Sequence, residues 1–466
     1  MIIIQSLAIS SVLLFVGSLL LSLTNNTSDP FIIGFFIFLS GILLNSLFPP
    51  IKGYPLRAFL LTYSAGIFVA GLSQYYSQLY YKMFTISPDA YAYWEAVQQS
   101  LNVRTMAEVA PINAPLAVFI WSKFVNFNQY IGLSANMWTI LYFNSLLVGL
   151  SASITVRAGW HYFGNDYFSL KRIGTLFSVC GIFLVFSAVL VRDSFILFVN
   201  TFLVYAIVRA IKRVNLISFS LLTFAVVVSM FSLLYLREKS TPMLILLMLI
   251  FLTAKLWKNI RNIDLIILAF ILLAISVLLR DQIITLFSQS TDVLETGYES
   301  YKQKKAITGA KSSLWWSLIT SQPLLIRMFV GGFFLFLFPF PVFSYIRFGQ
   351  SEYNLIKSWQ GFFMIFVIPS VLVSSILIIR QLKNINNKTR IGLFLLISSI
   401  IIPMIVAATS GETRHHGQYM QALILLAADS QIFSMNNRKT LASVRKTWFG
   451  LVIGLHVVYY IIKYGK

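Results

Sequence analysis

The residues best suited to chemistry in this sequence occupy four short polar segments between long apolar runs. Asp89 lies in Ser87-Pro88-Asp89-Ala90-Tyr91-Ala92-Tyr93-Trp94-Glu95-Ala96, close behind one such run. A carboxylate just above a bilayer, among aromatics that can stack on sugar rings, is placed to act as a general base toward an acceptor hydroxyl. Pro88-Asp89 also has the form of an ordinary helix start with Asp89 as the cap. Arg192-Asp193 fills a tight turn between two apolar runs. Its Arg can grip phosphate oxygens in bidentate fashion, and its Asp can equally cap the next helix in a plain solvated turn. Arg280-Asp281 repeats that pair and is followed by a polar stretch rich in lysine, from Glu295 and Glu299 to Lys311. Such a stretch fits an anionic ligand, anionic headgroups or a solvated loop. The fourth segment, Gly411-Glu412-Thr413-Arg414-His415-His416-Gly417, puts three cationic or protonatable groups in a row, which suits a pyrophosphate. Adjacent histidines on a helix point about 100° apart and no Cys or carboxylate repeat accompanies them, so neither a metal site nor another cofactor is expected.

The elements that must position these groups are membrane helices. Of 466 residues 58% are hydrophobic and only 11% charged, too few charges to cover a water-soluble globule of this size. Mean hydropathy is +0.79. The apolar runs reach the roughly 20 residues a spanning helix needs, and no alternating ten-residue pattern of a β-barrel appears. Thirteen runs qualify: 2–23, 31–48, 58–81, 136–156, 173–191, 194–211, 215–236, 241–254, 263–279, 358–380, 391–408, 417–435 and 447–463. The run 241–254 is short and needs Lys255 and Trp257 to snorkel. The first run lacks a charged start and a small-residue cleavage site, so it reads as a retained helix and not a removed signal peptide.

Charge then decides the topology. The net charge of +21 is spread over many short loops and forms no nucleic-acid-binding motif. Loops around Lys52 and Arg57, and at 157–172, 209–213, 255–261, 380–390 and 438–446, hold 19 basic residues against only Asp166 and Asp264. By the positive-inside rule all six are cytoplasmic. They share one side only if two further apolar stretches, 113–131 and 323–346, do not cross. The sequence therefore predicts an all-α polytopic chain of about 13 spanning helices plus two interfacial or re-entrant elements, with a cytoplasmic N-terminus. The whole chain, 1–466, reads as a single transmembrane domain whose two long outer loops are 82–135 and 280–357, the second dipping at Pro339-Phe340-Pro341. Cys180, His161, His456 and the Trp315-Trp316 pair read as packing or interfacial residues.

With the elements in place, the first outer loop resembles that of the C-type (GT-C) membrane glycosyltransferases. The likeness rests on Asp89, the Tyr-x-x-x-Ala-like spacing of Tyr91 to Ala96, Asn113-Ala114-Pro115, the amphipathic stretch and Gly132. The Arg192-Asp193 turn, the Pro-Phe-Pro dip and the Arg414-His415-His416 turn are similar to those of bacterial O-antigen and capsule polymerases. The resemblance implies a GT-C-like fold, an enzyme, and Asp89 as catalytic base. It implies a polyprenyl phosphate- or diphosphate-linked oligosaccharide as donor, the undecaprenyl type in bacteria, bound at the periplasmic face of the inner membrane. Tyr93, Glu95, Arg104, Arg192, Asp193, Arg280, Arg414, His415 and His416 would bind sugar or lipid phosphate. Membrane lipid and other polysaccharide-assembly proteins are the expected partners. That family often pairs two acidic residues in this loop, whereas Asp89 has only Glu95 and Glu108 nearby. A lipid-linked oligosaccharide flippase, a single-sugar transferase and an O-antigen ligase are the competing readings. A flippase should carry mid-helix charges and two related halves, neither of which is evident here.

Overall fold

The computed structural model describes residues 2–48, 51–82, 88–109, 114–134, 136–213, 215–237, 241–256, 324–336, 342, 352–382, 385–409 and 417–464. Among these residues all regular structure is helical. Hydrocarbon offers no partner for a backbone N–H or C=O, so a chain this apolar satisfies them within helices. The helices are α1 (Ile2–Asn25), α2 (Asp29–Ser46), α3 (Tyr54–Tyr81), α4 (Pro88–Gln99), α5 (Pro115–Tyr130), α6 (Met137–Phe163), α7 (Tyr167–Ser178) and α8 (Gly181–Ala188). They continue as α9 (Asp193–Lys212), α10 (Leu216–Arg237), α11 (Thr241–Leu256), α12 (Leu324–Leu335), α13 (Glu352–Gln381), α14 (Asn387–Thr409), α15 (Met420–Ala427) and α16 (Met435–Tyr464). Nine of the described helices, α1, α2, α3, α6, α9, α10, α13, α14 and α16, are long and apolar enough to cross a bilayer. The protein is a multi-pass membrane protein.

Burial separates central helices from peripheral ones. In α6 and α9, 78% of the apolar window is buried within the protein; in α10 the share is 33% and in α16 22%. The exposed Ile, Leu and Phe of the peripheral helices are the surface that hydrocarbon covers. Small residues and buried hydroxyls join the central helices. At Gly71 of α3 an added Cβ would lie 2.5 Å from the Gly17 carbonyl oxygen of α1, so the two backbones touch. Ser18 Oγ and Tyr142 Oη are 2.8 Å apart across α1 and α6, and Tyr63 Oη donates to the Gly34 carbonyl at 3.0 Å.

Among the described residues, two of the apolar runs fold differently from a single straight helix. The run 173–191 is broken between α7 and α8, which meet at a 50° bend. α13 packs directly against the break: an added Cβ at Gly181 would sit 2.6 Å from the Gln360 nitrogen, and Gln360 Oε1 accepts from the Ile182 N–H at 2.9 Å. The run 417–435 yields only the eight-residue α15, followed by a short 3-10 turn over Ser430–Phe433. Its polar residues bond elsewhere: Gln421 donates to Thr201 Oγ1 at 3.1 Å, and the Asp429 side chain accepts from the Gln431 N–H at 3.1 Å, ending the helix. The run 447–463 is longer than its apolar core, since α16 begins at Met435 and takes in the basic 438–446 stretch. The run 263–279 lies outside the described residues.

The basic loops converge on one end of the bundle. Arg57 donates to the Lys171 carbonyl at 3.1 Å, Arg172 to the Ala427 carbonyl at 3.1 Å, and Asn387 to the Lys212 carbonyl at 3.2 Å. Arg157 reaches the Asn45 carbonyl at 3.3 Å, and Lys388 pairs with Asp429 at 4.0 Å. The ammonium of Lys52 sits 4.0 Å over the Tyr167 ring. Asp166 caps α7, and hydrogen bonds from Ser169 and its neighbours outweigh burial and hold its carboxyl below the usual range. Asp429 goes the other way: burial raises it, and Lys388 offsets only part of that. Asp89 and the Arg192-Asp193 turn lie at the opposite end.

Candidate functional site

Asp89 is the second residue of α4, inside the first turn and past the cap position. An acidic group there complements the positive helix start after Pro88. Its side chain is exposed. The same helix buries Ala90, Tyr93, Ala96 and Val97, a spacing of one helical face. Tyr93 is one turn from Asp89 on a shared side, whereas Glu95, six residues on, points about 120° away. Glu95 is exposed and accepts from Gln99 Nε2 at 3.4 Å.

The buried face of α4 rests on α5, the 16-residue helix Pro115–Tyr130. Tyr93 meets the Trp121 ring edge-on, with centroids 5.7 Å apart. Trp121 is fully buried and donates from Nε1 to Asn144 Oδ1 of α6 at 3.1 Å. The same oxygen accepts from Ser194 Oγ at 3.0 Å, and Asn144 Nδ2 donates to the Val191 carbonyl at 3.5 Å. Trp121 also stands edge-on to Phe195 at 5.5 Å. A continuous chain of contacts thus ties the Asp89 helix to the turn that carries Arg192 and Asp193.

In that turn Arg192 occupies the cap position of α9, which has no side-chain cap bond, and Asp193 is the first helical residue. Asp193 is 5% exposed and forms an ion pair at 3.9 Å with Arg237, the last residue of α10. Its role is therefore pairing and not capping. The loop between α4 and α5 is fastened separately. Glu108 accepts from the Arg104 N–H at 2.9 Å and from Thr105 Oγ1 at 2.8 Å, and the Arg104 bond holds its carboxyl below the usual range. Lys123 bonds to the Val103 carbonyl and Asn126 to the Leu101 carbonyl. Glu108 is thus spent on loop structure, and Arg104 stands exposed beside it.

Arg280, Arg414, His415, His416, Pro339 and Pro341 lie outside the described residues. Gly417, directly after His416, abuts the Phe186 ring of α8, whose chain leads on to Arg192. No metal-binding group of three or more His, Cys, Asp or Glu side chains occurs among the described residues. His161 is buried against Tyr205 at the basic end, and His456 accepts from the Val342 N–H at 3.1 Å. Cys180 is buried at the α7–α8 break.

Comparison with family models, curated proteins and solved structures finds no match to this chain. Its own residues carry the functional argument. Packing links the helix that carries Asp89 and Tyr93 to the turn that carries Arg192 and Asp193, through residues that the sequence did not single out: Trp121, Asn144 and Ser194, with Arg237 paired to Asp193. Arg237 had a visible signal, a cation at the end of an apolar run on the side opposite the basic loops. The other three had none, because Trp, Asn and Ser occur throughout such helices.

Proposed function

We propose that this protein is a glycosyltransferase of the bacterial plasma membrane that extends surface polysaccharide, such as lipopolysaccharide O-antigen or capsule, from polyprenyl-linked donors. The observation that carries the reading is the chain Tyr93–Trp121–Asn144–Ser194, which joins a carboxylate-bearing surface helix to an arginine-bearing turn. On this reading the Asp89 end faces the periplasm and the basic end the cytoplasm, as the charge distribution favours. A GT-C-like arrangement follows, with α5 lying along the membrane.

Asp89 takes the proton of an acceptor sugar hydroxyl. That oxygen attacks the anomeric carbon of the donor with inversion, forming the glycosidic bond. The bond from the anomeric carbon to the phosphate oxygen breaks, its electron pair leaves with the polyprenyl phosphate or diphosphate, and the proton on Asp89 passes to water. Negative charge grows on the leaving phosphate, and Arg192, with Arg280, Arg414, His415 and His416, would neutralise it. The exposed Glu95 and Arg104 would meet the sugars, and Tyr93, packed on Trp121, would hold the Asp89 helix in place. The lipid anchors the donor at the interface.

The test uses the purified full chain in liposomes with polyprenyl-diphosphate-linked oligosaccharide. Wild type should produce a ladder of longer lipid-linked chains, and Asp89→Asn should slow it by about 10²- to 10⁴-fold, the span of general-base contributions. A single added sugar would make it a monosaccharide transferase, and transfer onto a core lipid a ligase. If nothing is extended while labelled lipid crosses the bilayer, the chain is a flippase and the enzyme reading falls.

A further inference from the structure

The cations of the basic end described above are spent on the protein itself. Arg57, Arg157 and Arg172 donate to backbone carbonyls, Lys388 pairs with Asp429, and Lys52 lies over the Tyr167 ring. Helix α16 departs from that pattern. Arg438, Lys439, Arg445 and Lys446 are all exposed, α16 contains no acidic residue, and among the described residues no ion pair reaches any of the four. Arg438 and Lys439 also follow the helix start closely, where the positive end of the backbone dipole disfavours a cation. An anion from outside the protein relieves both conditions.

The same stripe of α16 turns apolar away from the basic end. Arg438 and Arg445, and likewise Lys439 and Lys446, are seven residues apart, so at 100° per residue the four fall within about 120° of the helix circumference. Phe449, Val452, Ile453, His456 and Val457 continue that sector, and with Phe366 of α13 they line a groove of about 680 Å³ between the two helices. Phe366, Ile453 and Val457 are exposed along it, so it opens to hydrocarbon. Its end nearest the cations is fixed: Trp448 donates to the Ile365 carbonyl at 3.1 Å, and the Phe366 and Phe449 rings meet edge-on with centroids 5.9 Å apart. The groove begins one turn past Lys446 and runs to Ile461, about 18 Å at 1.5 Å per residue.

We infer that this stripe is a binding site for one anionic phospholipid, its phosphate met by Arg445 and Lys446 and one acyl chain laid in the groove. Arg438 and Lys439, two turns further on, add to the positive field. A groove open to a bilayer takes some lipid chain whatever surrounds it; cations directly in line with it make it selective for a negative headgroup. Anionic lipids are the charged component of the cytoplasmic leaflet, the side to which charge distribution assigns the basic end. A length of about 18 Å is close to one leaflet, half of a hydrocarbon core of roughly 30 Å, and a polyprenyl chain far exceeds it. The site lies at the opposite end from Asp89 and does not depend on the transfer reading.

The purified full chain in neutral detergent is titrated with phosphatidylglycerol and with phosphatidylcholine of the same chains, and native mass spectrometry counts the lipid bound. Wild type should bind phosphatidylglycerol in preference to phosphatidylcholine. Arg445→Gln combined with Lys446→Gln should weaken phosphatidylglycerol binding about tenfold or more, the loss expected when charge-assisted contacts go. Ile453→Trp, which narrows the groove and leaves the charge alone, should also weaken it. All three side chains are exposed, so the variants keep the fold. Lys171→Gln, an exposed cation at the same end on another helix, should leave binding unchanged. Equal binding of the two lipids by wild type, wild-type affinity in either α16 variant, or an equal loss in Lys171→Gln overturns the site. So does tighter binding of undecaprenyl phosphate than of phosphatidylglycerol, which would give the groove to a carrier lipid. None of these outcomes bears on Asp89, whose part is read from chain extension alone.

Discussion

Asn144 is the residue on which the site depends most. Its Oδ1 serves both Trp121 and Ser194, so Asn144→Ala strands a buried indole N–H and leaves the Ser194 hydroxyl only its longer bond to the Val191 carbonyl at 3.4 Å. Leaving a buried donor unpaired costs about 1 to 3 kcal/mol, whereas losing one ordinary bond costs about 1 kcal/mol. Thermal unfolding should therefore rank Asn144→Ala as clearly more damaging than Trp121→Phe, which keeps the ring contacts and leaves Asn144 bonded to Ser194. Equal effects would mean that the network does not hold the turn. At the basic end, pH separates two carboxylates. Asp166 has its carboxyl held down in the folded state, so its stabilisation is present above the unfolded value of 3.8 and is lost as pH falls through the lower folded value. Asp429 has its carboxyl raised, so its contribution is present below 3.8 and is lost as pH rises through the folded value. Asp429→Asn should raise the melting temperature at pH 7 and do nothing in acid. Asp166→Asn should lower it at pH 7 by a difference that shrinks in acid. Shifts of the same sign at pH 7 would contradict this account.

At the scale of elements, backbone contact between α1 and α3 fixes the first half of the bundle. Gly71 has the Gly17 carbonyl oxygen 2.5 Å from where a Cβ would lie, and a backbone atom cannot swing aside as a side chain can. Gly71→Ala should destabilise by about 1 to 3 kcal/mol, as overpacked interfaces do. Gly450→Ala in α16 meets nothing within 4 Å and should be neutral or slightly stabilising. Unfolding of the two variants in detergent should move in opposite directions, or at least by clearly different amounts. At the break at Val179–Cys180, Gln360 of α13 packs against Gly181 and bonds to the Ile182 N–H that the break exposes.

For the whole molecule, the described basic loops gather at one end and Asp89 lies at the other, and their sidedness is open to a direct check. Cys180 is fully buried, so engineered cysteines can be read against a silent background. Ala92→Cys and Lys171→Cys replace exposed residues at the two ends. A membrane-impermeant maleimide should label the first from the periplasmic side and the second only after the membrane is opened. Labelling of both from one side would sink the topology on which the periplasmic site rests.

The amino-acid sequence by itself determined the solvent, the helical class and the gathering of basic loops at one end. Each of these follows from composition and local runs: apolar stretches of about 20 residues must pair their own backbone, and charge excluded from hydrocarbon collects at loops. The polar segments that carry Asp89 and Arg192 were legible for the same reason, as interruptions in apolar runs. Only the tertiary structure decided which polar side chains meet. Trp121, Asn144 and Ser194 are separated by 23 and 50 residues in the chain, and Asp193 and Arg237 belong to different helices. No local periodicity encodes such pairings. It was also tertiary contact, from Gln360 at one break and through Gln421 and Asp429 at the other, that turned two apolar runs of spanning length into broken and shortened helices.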